Sequence, residues 1–182
     1  MHARLGIVIA GMLLVSATGC APKNYDALQQ QVQLLSDQND VTAAADRLFI
    51  CTDNRDWQCV KDVFTPEVLF DMTSLAGGQP SKLTPQQIVD GWDKGLKNLT
   101  AIHHQGGNYQ VTIKGNEADL FCYGIAFHYL PNPSYQNTRT FVGSYNFHLI
   151  RTAAGWKIDR FKYNLKYIDG NKELGAAGRE IK

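Results

Sequence analysis

The chain has 182 residues, 44% hydrophobic and 19% charged, with a formal net charge of +1. That balance suits one domain with a real core. With no basic stripe and no block of like charge, it lacks the concentrated Lys and Arg that phosphate binding needs, so no nucleic-acid partner is expected.

The first residues have a layout of their own. Met1–Arg4 carries one firm positive charge, Leu5–Val15 is apolar, and Ser16-Ala17-Thr18-Gly19 is small. This is the pattern of an export signal over residues 1–19. Its apolar run is short of the ~20 residues that a spanning helix needs. Ending at Cys20, it resembles a bacterial lipoprotein signal, with Ala17 where a leucine is usual. The resemblance implies Cys20 as a lipidated first residue, a membrane partner through that N-terminus, and a place in the bacterial cell envelope facing the periplasm or outside. Ordinary signal cleavage nearby is the alternative. Export implies an oxidising compartment. A Cys51–Cys59 disulfide would fit where two helices meet, though spacing alone does not establish it, and it would leave Cys122 as a buried thiol. No CxxC or Cys/His finger spacing occurs, so no structural zinc site is expected.

Residues 20–40 are polar and glutamine-rich. Leu28, Val32 and Leu35 fall at helical spacing and predict a short amphipathic helix leading out of a tether. A second helix is predicted over Val41–Asp53, with Asp40 as N-cap and Val41, Ala45, Leu48, Phe49 and Thr52 on one face. Asp53 extends that face at the C-terminal end, where a carboxylate opposes the helix dipole. Asn54 can close the helix in a left-handed conformation, and Asp56 caps a third segment, Trp57–Val63. Val68–Met72 reads as a strand and Ser74–Ser81 as a loop. Thr84-Pro85-Gln86-Gln87 is a capping box with proline at the first helical position, opening a helix through Ile88, Trp92, Leu96 and Leu99.

The stretch Ala101–Val111 enters as an apolar run, presents His103 and His104, and bends at Gly106-Gly107. Successive side chains of an extended segment point to opposite faces, so only one of these histidines can face inward. Four strands follow: Asn108–Lys114, Ala118–Leu130, Thr138–Thr152 and Trp156–Ile168, joined as antiparallel hairpins. Residues 171–182 are expected to be a mobile tail. The sum is an α+β fold, a curved antiparallel sheet wrapped around three N-terminal helices, with the domain spanning 41–170. By parity, Cys122, Gly124, Ala126 and His128 share one face of their strand. On the next strand Ser144, Asn146 and His148 lie opposite Tyr145, Phe147 and Leu149. A small or polar face carrying a histidine and an asparagine suits the floor of a cavity; the aromatic face suits a packed core or a homodimer contact.

These segments resemble the nuclear-transport-factor-2-like superfamily, in particular its SnoaL-like group, which includes scytalone dehydratase. The resemblance rests on Thr52-Asp-Asn-Arg-Asp-Trp57, on His103-His-Gln-Gly-Gly-Asn108, on the ungapped Gly115–His128, and on Ser144–Thr152 with Gly155–Ile158. It covers residues 40–170 and implies a cone with an internal pocket. It puts Asp53, His103 and His128 on catalytic positions and Asn146 on a substrate-contacting one, leaving His104 to the opposite face. Thr52 and Met72 stand where that enzyme has two water-orienting tyrosines, and Cys122 joins them among the expected substrate contacts.

On this resemblance Asp53 would orient one histidine. His103 would take a proton alpha to a carbonyl, His128 would serve the developing or departing oxygen, and Asn146 would anchor a substrate oxygen. The implied reactions are elimination of water or proton-shuttle isomerisation of a small apolar oxygenated molecule, and neither needs a cofactor. Two histidines and a carboxylate are also an iron-binding set, but no clustered ligand motif supports a metal here. The other class is a non-catalytic envelope lipoprotein that binds a lipophilic ligand or a protein partner.

Overall fold

The computed structural model describes residues 23–174. The export signal, Cys20 and the chain beyond Leu174 lie outside these residues.

Lys23–Asp53 contains neither glycine nor proline and forms one helix of 31 residues, α1. The two helices expected on either side of Asp40 are therefore continuous, and Asp40 is an interior residue rather than a cap. The polar residues that could have broken the helix are satisfied within it. Gln33 donates to Asp37 at 3.1 Å and the Thr42 hydroxyl donates to the Gln38 carbonyl at 3.0 Å. Asp37 is buried and pinned to the sheet by Arg151 at 2.6 Å, whose guanidinium lies 4.4 Å from the Trp156 ring. The first half of α1 leaves Leu28, Val32 and Leu35 exposed, whereas the second half buries Val41, Ala45, Leu48 and Phe49.

The left-handed residue after α1 is Arg55 (φ 53°) rather than Asn54. Its guanidinium holds the Leu96 and Leu99 carbonyls, at 3.1 and 2.5 Å. Asp56 caps α2, Trp57–Val63, by accepting from the Cys59 amide at 3.0 Å. A Cys51–Cys59 disulfide joins α1 to α2 with its Cα atoms 5.8 Å apart, within the ordinary range for such a bridge. Next come β1 (Phe64–Asp71), a single turn α3 (Thr73–Ala76), β2 (Ser81–Leu83) and α4 (Pro85–Leu96). The Thr84–Gln87 capping box opens α4 as expected.

The remaining strands are β3 (Ala101–Lys114), β4 (Glu117–Tyr129), β5 (Thr138–Thr152) and β6 (Gly155–Gly170). The sheet order is β2-β1-β6-β5-β4-β3, and β2 and β3 leave it open at its edges. The expectation of a wholly antiparallel sheet needs one correction: β1 runs parallel to β6. Hairpin signals specify only local neighbours. The β1–β6 pairing is made only after four further strands and two helices, so no turn announces it.

Two features of the sheet decide what faces the helices. The first is a bulge in β3. Gly107 pairs with Tyr123 and Gln110 with Phe121, so three steps on β3 match two on β4, and Asn108 takes a left-handed conformation (φ 58°). One extra residue reverses the alternation. The stretch expected to bend into the sheet at Gly106-Gly107 is thus already strand from Ala101, and its parity changes within it. The second feature is the β4–β5 register. Cys122 lies opposite Tyr145, Gly124 opposite Gly143, Ala126 opposite Phe141, and His128 opposite Arg139. The small face of β4 therefore shares the interior with the aromatic face of β5. The Ser144–Asn146–His148 face, expected to floor the cavity, points outward. The two strands are complementary: a Cβ on Gly124 would collide with the Tyr145 ring.

Beyond β6, Asn171–Leu174 forms a turn, and Leu174 is buried with Leu99 and Ile102. Among the described residues, no helix is long and apolar enough to cross a membrane.

Candidate functional site

A cavity of about 230 Å³ opens between the inner sheet face, the end of α1, and α4. Its wall is largely apolar, with Phe49, Trp92, Ala126, Phe141 and Phe161 among the lining residues. The polar side chains in the wall are His104, His128, Arg139, Thr52, Tyr145 and Tyr163.

His104, not His103, is the inward histidine. It lies before the bulge, opposite Ala126, and shares the inner face with Ile102 and Gly106. Its Nδ1 is 2.6 Å from Asp53 Oδ1, and its main-chain N–H donates to both Asp53 oxygens, at 3.1 and 2.9 Å. An ionised carboxylate only accepts, so Nδ1 carries the proton and Nε2 is left as a free base. The ring lies nearly parallel to Phe49, with centroids 5.7 Å apart. His104 and Asp53 have side chains 14% and 16% exposed. The two donors of His104, in three contacts, also meet the Asp53 carboxylate where the C-terminal end of α1 would disfavour it. His103, by contrast, is 67% exposed, with its Nδ1 3.8 Å from Asp53 Oδ2. It does not line the cavity, so the expected Asp53–His103–His128 convergence does not occur. The family resemblance selects His103, and the bulge between Gly107 and Gln110 leaves its neighbour His104 on the inner face instead.

His128 is buried as expected. Its Nδ1 is 3.2 Å from Arg139 Nη2. A guanidinium can only donate, so Nδ1 is the acceptor and the proton sits on Nε2. Burial, followed by the charge of Arg139, pushes the imidazole pKa down to about 3. In their neutral forms the two inward histidines are therefore opposite tautomers. His104 offers a lone pair on Nε2, and His128 offers an N–H.

Thr52 and Met72 line the cavity as expected, but neither supplies a donor. The Thr52 hydroxyl is engaged by the Leu48 carbonyl at 2.7 Å, and a thioether cannot donate. Phenols come instead from the sheet, through Tyr145 and Tyr163. The Tyr163 hydroxyl is buried without a hydrogen-bond partner among the described residues, and burial raises its pKa to about 12. Cys122 is not a cavity residue. It is fully buried in the core, and desolvation pushes its thiol up to about 12. Asn146 is exposed on the outer face, where its carbonyl accepts from Asn164 at 2.8 Å, so it cannot anchor a ligand in this cavity. His148 is satisfied by Asp159 at 2.6 Å, also on the outer face. Arg139, Tyr145 and Tyr163 were not anticipated. The available signal was Arg139 itself, a cation on the aromatic face of β5.

A family model described as a SnoaL-like domain matches residues 33–162. The chain belongs to the SnoaL-like family. No curated protein matches it. Solved structures similar to this SnoaL-like chain include the Kfla4162 protein of Kribbella flavida, 21% identical over 75% of this chain and 95% of that one, with a TM-score of 0.71. A protein described as a putative scytalone dehydratase, from Novosphingobium aromaticivorans, is 10% identical over 84% and 99%, with a TM-score of 0.67. A hexachlorocyclohexane dehydrochlorinase from Novosphingobium barchaimii is 10% identical over 81% and 99%, with a TM-score of 0.65. At these identities the likeness is one of fold: the open α+β cone of the nuclear-transport-factor-2-like superfamily.

Proposed function

We propose that this SnoaL-like protein is a lyase or isomerase that removes a proton alpha to a carbonyl in a small, largely apolar molecule. The observation that carries this reading is the Asp53–His104 pair at an apolar cavity, with Nε2 of His104 left as a base. In an elimination, His104 takes the carbon-bound proton and its electron pair becomes the new double bond. The carbon–oxygen bond then breaks, and the departing hydroxyl takes a proton from the imidazolium to leave as water. In an isomerisation the same proton returns to a different carbon. His128, held neutral, donates its Nε2–H to the carbonyl oxygen as charge develops. Such donors act most strongly where water is excluded. Two structural neighbours, a protein described as a putative scytalone dehydratase and a hexachlorocyclohexane dehydrochlorinase, are named for eliminations, which supports this reading.

The alternative is a pocket protein that binds without turnover. It is favoured by Thr52 and Met72, which supply no free donor on the α1 side of the cavity. We place either activity in the cell envelope, with Cys20 as the lipid anchor; the Cys51–Cys59 disulfide supports an oxidising compartment.

The test is incubation with a panel of β-hydroxy ketones and β-hydroxy acids in D₂O, followed by proton NMR. Wild-type protein should eliminate water or exchange the α-proton of at least one compound. His104→Gln should lower that rate by ~10²–10⁴, while His103→Gln should stay within about twofold. An inert wild type across the panel, or a His103→Gln variant as damaged as His104→Gln, would sink the catalytic reading.

A further inference from the structure

The cavity wall contains a cation that is in no ion pair among the described residues. Arg139 stands opposite His128 in the β4–β5 pairing. Its Nη2 donates to His128 at 3.2 Å and its Nη1 to the Lys172 carbonyl at 3.3 Å. Its Nε is buried with no partner among the described residues, and none of their carboxylates lies within ion-pair distance of the guanidinium. Glu173 acts on it only through space. The Phe141 ring, 5.1 Å from Cζ, is its remaining stabilising neighbour. Guanidinium keeps its charge in proteins, and a half-buried charge without an ion-pair partner is costly. His128 is neutral, so it adds no second cation.

We propose that the cavity binds an apolar carboxylate, with the carboxylate held by the Arg139 guanidinium and the apolar body lying against the aromatic wall. The proposal names the substrate class of the same site. It therefore rests on the catalytic reading for turnover, though not for binding. The sheet register supports it. His104 is opposite Ala126, two residues along β4 from His128, so the base is offset from the Arg139 rung by about 7 Å along the strands. An anion at Arg139 thus leaves the carbon at His104 separate from the charged group. Charge-assisted hydrogen bonds from arginine to carboxylate are the strong ones, and the water-poor wall strengthens them further.

The test compares trans-cinnamate with its neutral analogue trans-cinnamamide at pH 7, by calorimetry and by quenching of Trp92, which lines the cavity. Cinnamate should bind at least roughly tenfold more tightly. It should also shift the Arg139 Nε–Hε signal in a side-chain ¹⁵N spectrum of wild-type protein, a readout that needs no variant to fold. Arg139→Met should bring the two ligands to parity, and Arg139→Lys should keep part of the preference. Equal affinities, no cinnamate binding, or an unmoved Arg139 signal would overturn the proposal. The titration involves no turnover. An inert protein that prefers cinnamate refutes only the catalytic reading, and an active one without that preference refutes only this inference.

Discussion

His128 ties stability to pH through its environment. Its pKa falls from 6.5 to about 3 in the folded chain, chiefly by burial. Between those values the unfolded chain binds a proton that the folded chain refuses, so stability must rise with pH across the window and fall on acidification. The limiting slope is about 1.4 kcal/mol per pH unit. Asp37 and Asp71 have pKa values lowered below 3.8 by their hydrogen bonds; their stabilisation is present above that value and is lost only as pH falls further. The interval from pH 6.5 to 4.5 lies above the range in which Asp37 and Asp71 lose their stabilisation and within the one that His128 controls. Urea midpoints should fall across it for wild type, and His128→Leu should flatten the decline; an undiminished decline in the variant would remove His128 as the cause. At this scale much of the site was legible in the sequence. Asp53 and His128 were identified through the family resemblance, and helix periodicity and strand parity hold through their own elements, so the positions it implies do reach the interior. His104 was not, since the bulge separating it from Tyr109 leaves no mark that strict alternation can detect. Arg139 was visible only as a misplaced charge, and its partner His128 lies 11 residues away across a hairpin.

At the level of elements, the site depends on how closely α1 approaches β3. Gly106 makes that approach possible. A Cβ there would lie 2.5 Å from the Tyr109 hydroxyl oxygen and 2.8 Å from Phe49 Cε2. Phe49 also stacks on His104, and Tyr109 donates to Asp46 on α1. Gly106→Ala should therefore destabilise the protein by about 1–3 kcal/mol, the usual result of overpacking. It should also disturb the His104 ring signals in NMR. Gly107→Ala is the control: its Cβ would meet nothing within 4 Å, so its urea midpoint should stay within about 0.5 kcal/mol of wild type. Equal losses in the two variants would show that backbone freedom, rather than the Phe49 contact, is what matters. The same contrast explains which elements could be read in advance. Thr84, Asp56 and the Gly115 and Gly155 turns carry their signals locally. The length of α1 depends on Asp37 finding Arg151, and the parallel seat of β1 depends on β6, so neither can be inferred from nearby residues alone.

For the whole molecule, the Cys51–Cys59 bridge links the stability of the fold to the position of its base. Cys51 lies two residues before Asp53, and Cys59 lies on α2, so the bridge fixes the end of α1 against its neighbour. The closed loop is short, with a separation of 8 residues. Chain-entropy arguments then give about 2–3 kcal/mol of stabilisation. Dithiothreitol should lower the urea midpoint accordingly. Cys59→Ser should show the same loss without reductant and no further loss with it. Cys122 should stay unreactive toward a thiol reagent until the chain unfolds, because it is buried and its pKa is pushed up to about 12. The proposed envelope location makes this bridge the native state rather than an artefact of air oxidation. Protein recovered from its host under alkylating conditions should carry the bridge intact. It should also sediment with membranes, and Cys20→Ala should move it to the soluble fraction with the bridge still formed. A reduced Cys51–Cys59 pair in freshly quenched cells would overturn the oxidising compartment. Wild type that is already soluble would overturn the anchor while leaving the bridge and the cavity untouched.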